Sequence, residues 1–350
     1  MISMSKIFAI DRKEFKMSRG IEVVVILAIP FVVLGVLKQD MYLLSVTFGI
    51  LFVGLSDPGG PYGVRLREMA LVGVVGTGVT ALGFAIGGGS WGWVVLAATG
   101  VTLLSGLALK FGTHRFVSAT LLNAWFLIVI SVPAAHHLST AASGWAQQSL
   151  AWLIGSAVWI ASTLIKWLLD GRRAQPSNIP EIPGDMSANT LSGPEILFAV
   201  IRALAVGIAV ALAFGFHVPD ADWMPIATLV AMKGTLSQTT LFAEQRLAGA
   251  VIGAFVAMFF LVALKNKHAL EVVIILLGSV AATIRGVNYA LYCAAIAGLV
   301  LVSMDISHPT NFTAEFHRVF FTFAGVGIAW LVMLLANAMQ KEHAEATPED

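Results

Sequence analysis

The chain has 350 residues, of which 58% are hydrophobic and only 12% are charged, and its formal net charge is +1. Soluble domains average about 45–50% apolar and about 25% charged residues, so this composition excludes a soluble globular protein and indicates an integral membrane protein. The near-neutral charge gives no indication of a nucleic-acid partner. The single cysteine, Cys293, lies in an apolar run, which excludes a disulfide framework and a cluster of metal-binding thiolates.

The N-terminal segment is basic rather than apolar. Lys6, Arg12, Lys13, Lys16 and Arg19 precede an apolar segment that is long and has no cleavage site of small residues. A secretory signal peptide has a shorter apolar region followed by such a site. We therefore predict that residues 1–20 form a short, amphipathic, cytoplasmic segment before the first membrane span.

Twelve stretches of the chain are apolar enough to be membrane spans, each of which needs roughly 20 mostly apolar residues. The first predicted bundle, residues 21–170, contains Ile21–Leu37, Tyr42–Ser56, Leu66–Gly87, Trp91–Phe111, Phe116–Ala134 and Trp145–Leu169. The second, residues 195–340, contains Glu195–Phe216, Trp223–Thr240, Leu247–Leu264, Ala269–Ile284, Val287–Met304 and Phe316–Ala338. Residues 171–194 are rich in Pro, Ser, Asn and Gly and are predicted to be a cytoplasmic linker, and residues 341–350 to be a polar tail. The predicted fold class is therefore an all-α membrane protein.

Basic residues near the helix ends predict the orientation of the chain. If the N-terminus is inside, seventeen Lys and Arg fall inside and four fall outside, which by the positive-inside rule places both termini in the cytoplasm. Six helices return the chain to its starting side, so the two bundles would be parallel repeats. The proposed equivalent residues are Arg19 and Arg202, Arg65 and Arg246, Arg115 and Arg285, and Gly155 and Gly325.

The second half carries a recognisable pattern. Residues 222–230 read Asp-Trp-Met-Pro-Ile-Ala-Thr-Leu-Val, residues 245–253 read Gln-Arg-Leu-Ala-Gly-Ala-Val-Ile-Gly, and residues 288–291 read Asn-Tyr-Ala-Leu before an apolar run. This pattern resembles the fusaric acid resistance family of bacterial membrane proteins, which includes aromatic acid exporters. The chain is more distantly similar to the plant aluminium-activated malate transporters. It has Lys233-Gly234 where the fusaric acid resistance family often shows Gln-Pro.

Four arginines are candidates for binding an organic anion. Arg65, Arg115, Arg246 and Arg285 are predicted at the cytoplasmic ends of odd-numbered helices, which would surround a common axis. There they would form a positive vestibule, and a guanidinium can bind a carboxylate through two hydrogen bonds. The alternative is that these arginines only anchor the topology, since the positive-inside rule alone would place them there.

Lys233 is the candidate nearest the middle of the membrane. It lies ten residues after Trp223, or about 15 Å along a helix, and an ionisable residue at that depth indicates function. A polar run follows it, which predicts a broken helix lining a cavity. The alternative is a short helix from which Lys233 reaches the inner surface. Asp57 follows the equivalent helix of the first bundle and could face Lys233, so Asp57 and Asp222 are candidate coupling acids.

Several chemistries are not indicated by the sequence. The eight histidines have no metal-ligand spacing, and no phosphate-binding loop or pair of catalytic residues at membrane depth is found. We therefore expect a protein that is not an enzyme and that has no cofactor and no metal site. The small-residue positions Gly249 and Gly253 are interpreted as a helix-packing face.

The resemblance implies a secondary transporter that exports small organic anions across the bacterial inner membrane, and aromatic carboxylates are the substrates expected above others. Coupling to the proton gradient is expected. The similarity to malate transporters leaves a passive organic-anion channel as an alternative, and a non-transporting scaffold or subunit is a second alternative. The expected partners are the anion, the lipid bilayer, and either further copies of the chain or a soluble or periplasmic accessory subunit.

Overall fold

The computed structural model describes residues 10–135, 144–174, 190–216, 223–232, 239–305 and 320–335, together with Phe8, Ser187 and His317. The side chains at 133–135, 239–244, 246, 247 and 305 lie outside this description. Lys233 and Asp222 lie outside the described residues altogether. Within the described ranges the ordered elements are all helices, and no β-strand is present.

The helices have between 9 and 25 residues. They are α1 Met17–Leu37, α2 Leu43–Leu55, α3 Tyr62–Ile86, α4 Trp91–Leu107, α5 Thr113–Ala135, α6 Trp145–Leu169, α7 Gly193–Gly215, α8 Trp223–Ala231, α9 Thr239–Ala263, α10 Lys267–Ile284, α11 Tyr289–Asp305 and α12 Phe320–Leu335. Short 3-10 helices cover Arg12–Glu14, Asp40–Tyr42 and Ala108–Phe111.

Seven of these helices are long and apolar enough to cross a membrane: α1, α3, α4 with its 3-10 extension, α5, α6, α7 and α10. Helices α2, α9, α11 and α12 contain shorter apolar segments, and α8 has only nine residues. The chain is therefore a multi-pass, all-α membrane protein, and twelve helices are present in the described ranges, as predicted. That all twelve cross the membrane stays a prediction. Helix α1 begins at Met17, so Arg19 lies in its first turn rather than in a preceding segment.

Contacts between helix ends show which of them lie at the same end of the helical bundle, and basic residues are more numerous at one of the two ends. At one end Arg285, which follows α10, donates to the carbonyl of Leu55 at the end of α2. We call this the basic end, and it carries Arg19, Arg65, Arg115, Lys166 and Arg285. At the opposite, far end, Lys267 at the start of α10 pairs with Asp40 after α1.

Aromatic packing holds the first bundle together. The rings of Trp125 in α5 and Phe48 in α2 stack with centroids 4.8 Å apart, and Trp125 stacks on Trp152 of α6 at 5.0 Å. The Trp125 Nε1–H donates to Thr80 Oγ1 of α3 at 2.8 Å, so the indole nitrogen is satisfied although the ring is fully buried. Stacked aromatic pairs contribute about 0.5–1.5 kcal/mol beyond the area that they bury. This cluster fixes four helices relative to one another.

Small residues set the closest helix contacts. A Cβ added to Gly155 of α6 would overlap the carbonyl of Val46 in α2, and a Cβ added to Gly325 of α12 would overlap the carbonyl of Met224 in α8. In the second half, Cβ atoms at Gly249 and Gly253 of α9 would lie 2.5 Å and 2.6 Å from carbonyl oxygens of α11. The predicted packing role of Gly249 and Gly253 is therefore confirmed.

The two predicted bundles share an extensive interface. Helix α1 of the first bundle packs along α10 of the second, and α4 packs along α7. A Cβ at Gly20 of α1 would lie 2.9 Å from Ser279 Oγ of α10, and a Cβ at Gly106 of α4 would lie 2.7 Å from Ala199 Cβ of α7. Helices of each predicted bundle thus pack directly against helices of the other.

Candidate functional site

A cavity of about 470 Å³ lies between the two bundles at the basic end. Its walls come from α1, α2, α6 and the start of α3 on one side, and from α10 and α11 on the other. The exposed Ser18 and the half-exposed Glu22 lie at its mouth, whereas Leu27, Ile50 and Ile296 line its apolar inner part. Small-molecule sites in proteins commonly enclose about 300–1,000 Å³, so this cavity is large enough for a small organic ligand.

A buried ion pair forms one wall of the cavity. Asp57 lies in the loop after α2, where its Oδ1 accepts a hydrogen bond from the backbone N–H of Gly59 at 3.0 Å. Gly59 has φ +71°, a conformation in which glycine avoids the steric cost of a side chain. Arg65, in the first turn of α3, donates from Nε to Oδ1 and Oδ2 of Asp57 at 2.9 Å and 3.2 Å. The loop therefore holds Asp57 in place for a forked, charge-assisted interaction.

The charges on the cavity wall do not balance. Glu22, the second acid of the lining, pairs with Lys166 of α6, as Asp57 pairs with Arg65. Arg19 has no hydrogen bond or ion pair to its side chain within the described residues, and Arg285 donates only to the backbone carbonyl of Leu55 there. Both guanidinium groups line the cavity and lie close enough to interact electrostatically. The cavity therefore has an excess of positive charge without carboxylate partners in the described part of the chain.

Aromatic side chains form another part of the wall. Trp159 of α6 and Tyr292 of α11 line the cavity from opposite bundles. The Trp159 ring packs directly on Gly54 of α2, where a Cβ would lie 2.7 Å from ring atom Cε2. Gly54 thus leaves the space that the indole ring needs. The arrangement of flat apolar walls beside guanidinium groups suits a molecule with both an aromatic ring and a negative charge.

The structure brings together three of the residues that the sequence nominated: Arg65, Arg285 and Asp57 all line the cavity. Arg115 lies elsewhere, where its Nε and Nη2 donate to the buried carboxylate of Glu68 at 3.0 Å and 2.8 Å. The described structure thus gives Arg115 a partner within the protein, and its role in binding stays a prediction.

The remaining nominated residues cannot be placed against the cavity. Arg246 belongs to α9, but its side chain lies outside the described residues, as do Lys233 and Asp222 entirely. The expected contact between Asp57 and Lys233 also lies outside the described residues, and among the described residues Asp57 pairs with Arg65. Their predicted roles in binding and coupling stay predictions.

The cavity is not surrounded by odd-numbered helices alone. Even-numbered α2, α6 and α10 supply Leu51, Trp159 and Gly278 to its lining. The reason is the close packing of α1 on α10 and of α2 on α6, which brings even-numbered helices to the interface between the bundles.

Sequence reasoning missed four lining residues as site residues: Arg19, Lys166, Trp159 and Tyr292. The sequence places Arg19 in a proposed internal repeat, and its position in the first turn of an apolar helix is the signal that could have found it. Trp159 could have been noticed because it lies in the interior of α6, away from the helix ends where interfacial tryptophans occur. No group of three or more potential metal-ligating side chains is found among the described residues.

The fold and the cavity define a polytopic helical membrane protein with a charged cavity between helices of its two halves, an architecture typical of membrane transporters. Residues 187–332, which span α7 to most of α12, match the family described as fusaric acid resistance protein-like. The resemblance seen in the sequence is therefore confirmed over this region, which is less than half of the chain. Comparison with curated proteins gives no match, and comparison with solved structures gives none either.

Proposed function

We propose that the protein is a secondary transporter that exports small organic anions, aromatic carboxylates above all, from the bacterial cytoplasm. The observation that supports this most is the cavity between the bundles, where Arg19 and Arg285 have no carboxylate partner in the described part of the chain. The match to the fusaric acid resistance protein-like family supports a transporter-type role.

The chemistry of the cavity suits an aromatic carboxylate. The carboxylate would bind between Arg19 and Arg285, each of which can offer parallel N–H donors to its two oxygens. The ring would lie against Trp159, with Tyr292 on the opposite wall. A hydrogen bond to a charged group contributes about 1.5–3 kcal/mol, and a favourable aromatic pair adds about 0.5–1.5 kcal/mol. Together they favour an aromatic anion over a neutral ring or an aliphatic acid.

The proposed membrane orientation has the basic end in the cytoplasm, with both termini on that side, as the positive-inside rule requires. The cavity would then open toward the cytoplasm, where an exporter collects its substrate. The two bundles are proposed to be parallel six-helix repeats. The paired contacts support this, because exchanging the bundles converts the packing of α1 on α10 into that of α7 on α4.

Asp57 is the proposed coupling acid within the described residues. Its carboxylate neutralises Arg65 in the structure. A proton gradient drives export only if protons and anions cross the membrane in opposite directions. Asp57 must therefore keep its negative charge and its pairing with Arg65 while the anion occupies the cavity, and must carry a proton only on the return step.

Transport by the purified protein in lipid vesicles tests the proposal. Labelled benzoate should cross the membrane faster than in protein-free vesicles, and an imposed pH gradient should drive its accumulation. A passive channel would instead give voltage-dependent currents that do not follow the pH gradient. Absence of any benzoate flux, with the protein folded, would favour the scaffold alternative and refute the transporter.

A variant tests the aromatic preference. Trp159→Leu should lower the preference for benzoate over cyclohexanecarboxylate about two- to twelvefold, since an aromatic pair contributes about 0.5–1.5 kcal/mol and each 1.4 kcal/mol is a factor of ten. Trp93→Leu is the matched control, because Trp93 is an exposed tryptophan outside the cavity. An unchanged preference in Trp159→Leu would show that the indole ring does not contact the substrate.

A further inference from the structure

The interface that holds the cavity continues deeper into the bundle. At its inner end, the cavity is closed by Leu27 of α1, Leu51 of α2, and Gly278 and Ile296 of the second bundle. Leu27 is only 1% exposed, and a Cβ on Gly278 would lie 2.7 Å from its Cδ1. Leu27 thus fits into a notch that only glycine leaves open. Along the helix it lies about 12 Å beyond Arg19, at a rise of 1.5 Å per residue.

A second, smaller void lies beyond this closure. It has a volume of about 10 Å³ and is lined by Phe31, Leu43, Leu44, Thr47, Ile274 and Ser303. These residues belong to α1, α2, α10 and α11, the helices that also close the cavity. A void holds one water molecule from about 10–15 Å³ upward, so this one is at the lower limit for a single water.

Two hydroxyl groups in this void have no hydrogen-bond partner in the described part of the chain. Thr47 and Ser303 are 1% and 5% exposed, and neither Oγ1 of Thr47 nor Oγ of Ser303 has a partner among the described residues. Most buried hydroxyls, including Ser131 and Thr80 here, donate to a carbonyl of the preceding helical turn. An unpartnered buried hydroxyl costs about 1–3 kcal/mol, so its presence needs an explanation.

An ion pair lies at the far end of α1 and α10. There Asp40 and Lys267 pair between the end of α1 and the start of α10. In order from the basic end, the interface therefore contains a cationic cavity, an apolar closure, two unpartnered hydroxyls and an ion pair.

From this order we infer that the interface of α1 and α2 with α10 and α11 is the translocation path. Leu27 seated on Gly278 is its closed gate, and Thr47 and Ser303 form a second binding site for the carboxylate once the gate opens. Each hydroxyl can donate one hydrogen bond to a carboxylate oxygen. This inference rests on the proposed function and adds to it the route and an outward-facing site.

Cysteine labelling tests the second site. The native Cys293 is replaced by alanine, and Ser303→Cys is compared with Ser131→Cys, an equally buried serine near the far end of α5 that is not part of the void. A membrane-impermeant methanethiosulfonate reagent should modify Ser303→Cys at least tenfold faster during benzoate transport than at rest, and modification should stop transport. Ser131→Cys should show no such acceleration. Equal behaviour of the two positions, or full transport after modification of Ser303→Cys, would overturn the inference.

Alanine substitution tests the gate. Leu27→Ala should allow benzoate to leak down its gradient without a pH gradient, at least fivefold faster than the unaltered protein. Val25→Ala is the matched control, since Val25 is 59% exposed on the outer face of the same helix at nearly the same depth. Leak rates that are equal in the two variants, both folded, would place the gate elsewhere.

The experiments distinguish a wrong translocation path from a wrong function. If the unaltered protein neither binds nor transports benzoate, the proposed function fails. If it does both, and neither Ser303→Cys nor Leu27→Ala behaves as expected, the function stands and the route is wrong. If Leu27→Ala does not fold, the labelling experiment decides alone.

Discussion

Replacing Arg19 by glutamine should weaken anion binding without unfolding the protein. Arg19 lines the cavity, has no ion pair or hydrogen bond to its side chain in the described residues, and is half-buried in the first turn of α1. Its loss therefore leaves no acid of the described structure without a partner. Arg285 is less suitable, because it also donates to the carbonyl of Leu55.

The magnitude follows from the contact that is removed. A hydrogen bond to a charged group contributes about 1.5–3 kcal/mol, and each 1.4 kcal/mol changes an affinity tenfold. The Kd of benzoate should therefore rise about 10- to 100-fold in Arg19→Gln, measured by calorimetry on the purified protein. Arg173→Gln is the matched control, because it removes the same charge from an exposed position at the same end. If the two variants bind within twofold of each other, Arg19 does not contact the anion and only the net charge matters.

Three further predictions concern packing, the buried pair and Lys233. Gly253→Ala should destabilise the protein by about 1–3 kcal/mol, because the added methyl group overpacks the contact with α11. Gly100→Ala should stabilise it by about 0.5–1 kcal/mol, because a Cβ there has no atom within 4 Å. Denaturation in detergent measures both free energies of unfolding, and equal shifts would contradict the packing argument. Asp57→Asn should lower the free energy of unfolding by about 3–5 kcal/mol, because it leaves the buried Arg65 charge without its carboxylate. The double variant Asp57→Asn/Arg65→Gln should lose less stability than the two single variants combined. Strict additivity of the two losses would mean that the pair is not coupled. Lys233→Ala should abolish transport while expression and folding stay intact, and normal transport by this variant would leave the described cavity as the site.

The number of helices could be predicted because apolar runs are visible in the sequence, although only seven of the twelve helices are long and apolar enough to cross a membrane. Their ends could not be predicted to the residue: α1 begins at Met17, inside the segment expected to precede it. Backbone contacts explain the difference, since the N–H of Lys16 donates to the carbonyl of Thr283 in α10 and brings the start of α1 against the second bundle. Such a contact between distant residues leaves no periodic signal in the sequence.

The sequence predicts a cationic binding site, but it identifies only some of the residues that line the cavity. Arg65, Arg285 and Asp57 stood out because charged residues are rare in an apolar chain, and all three line the cavity. Arg115 satisfied the same criterion, yet it pairs with Glu68, a partner that lies 47 positions away and that only the fold brings near. Trp159 and Tyr292 resemble ordinary membrane aromatics until the packing of α6 and α11 is known.

The mutual packing of the bundles has a consequence for how the protein is made. Because α1 lies along α10 and α4 along α7, the first six helices emerge from the ribosome with two contact faces still uncovered. The face of α4 can be covered as soon as α7 is inserted, whereas the face of α1 must stay in lipid until α10 is made, so membrane quality-control proteases have their best opportunity during that interval. Two half-chains produced separately in one cell should protect each other from degradation, whereas either alone should be short-lived.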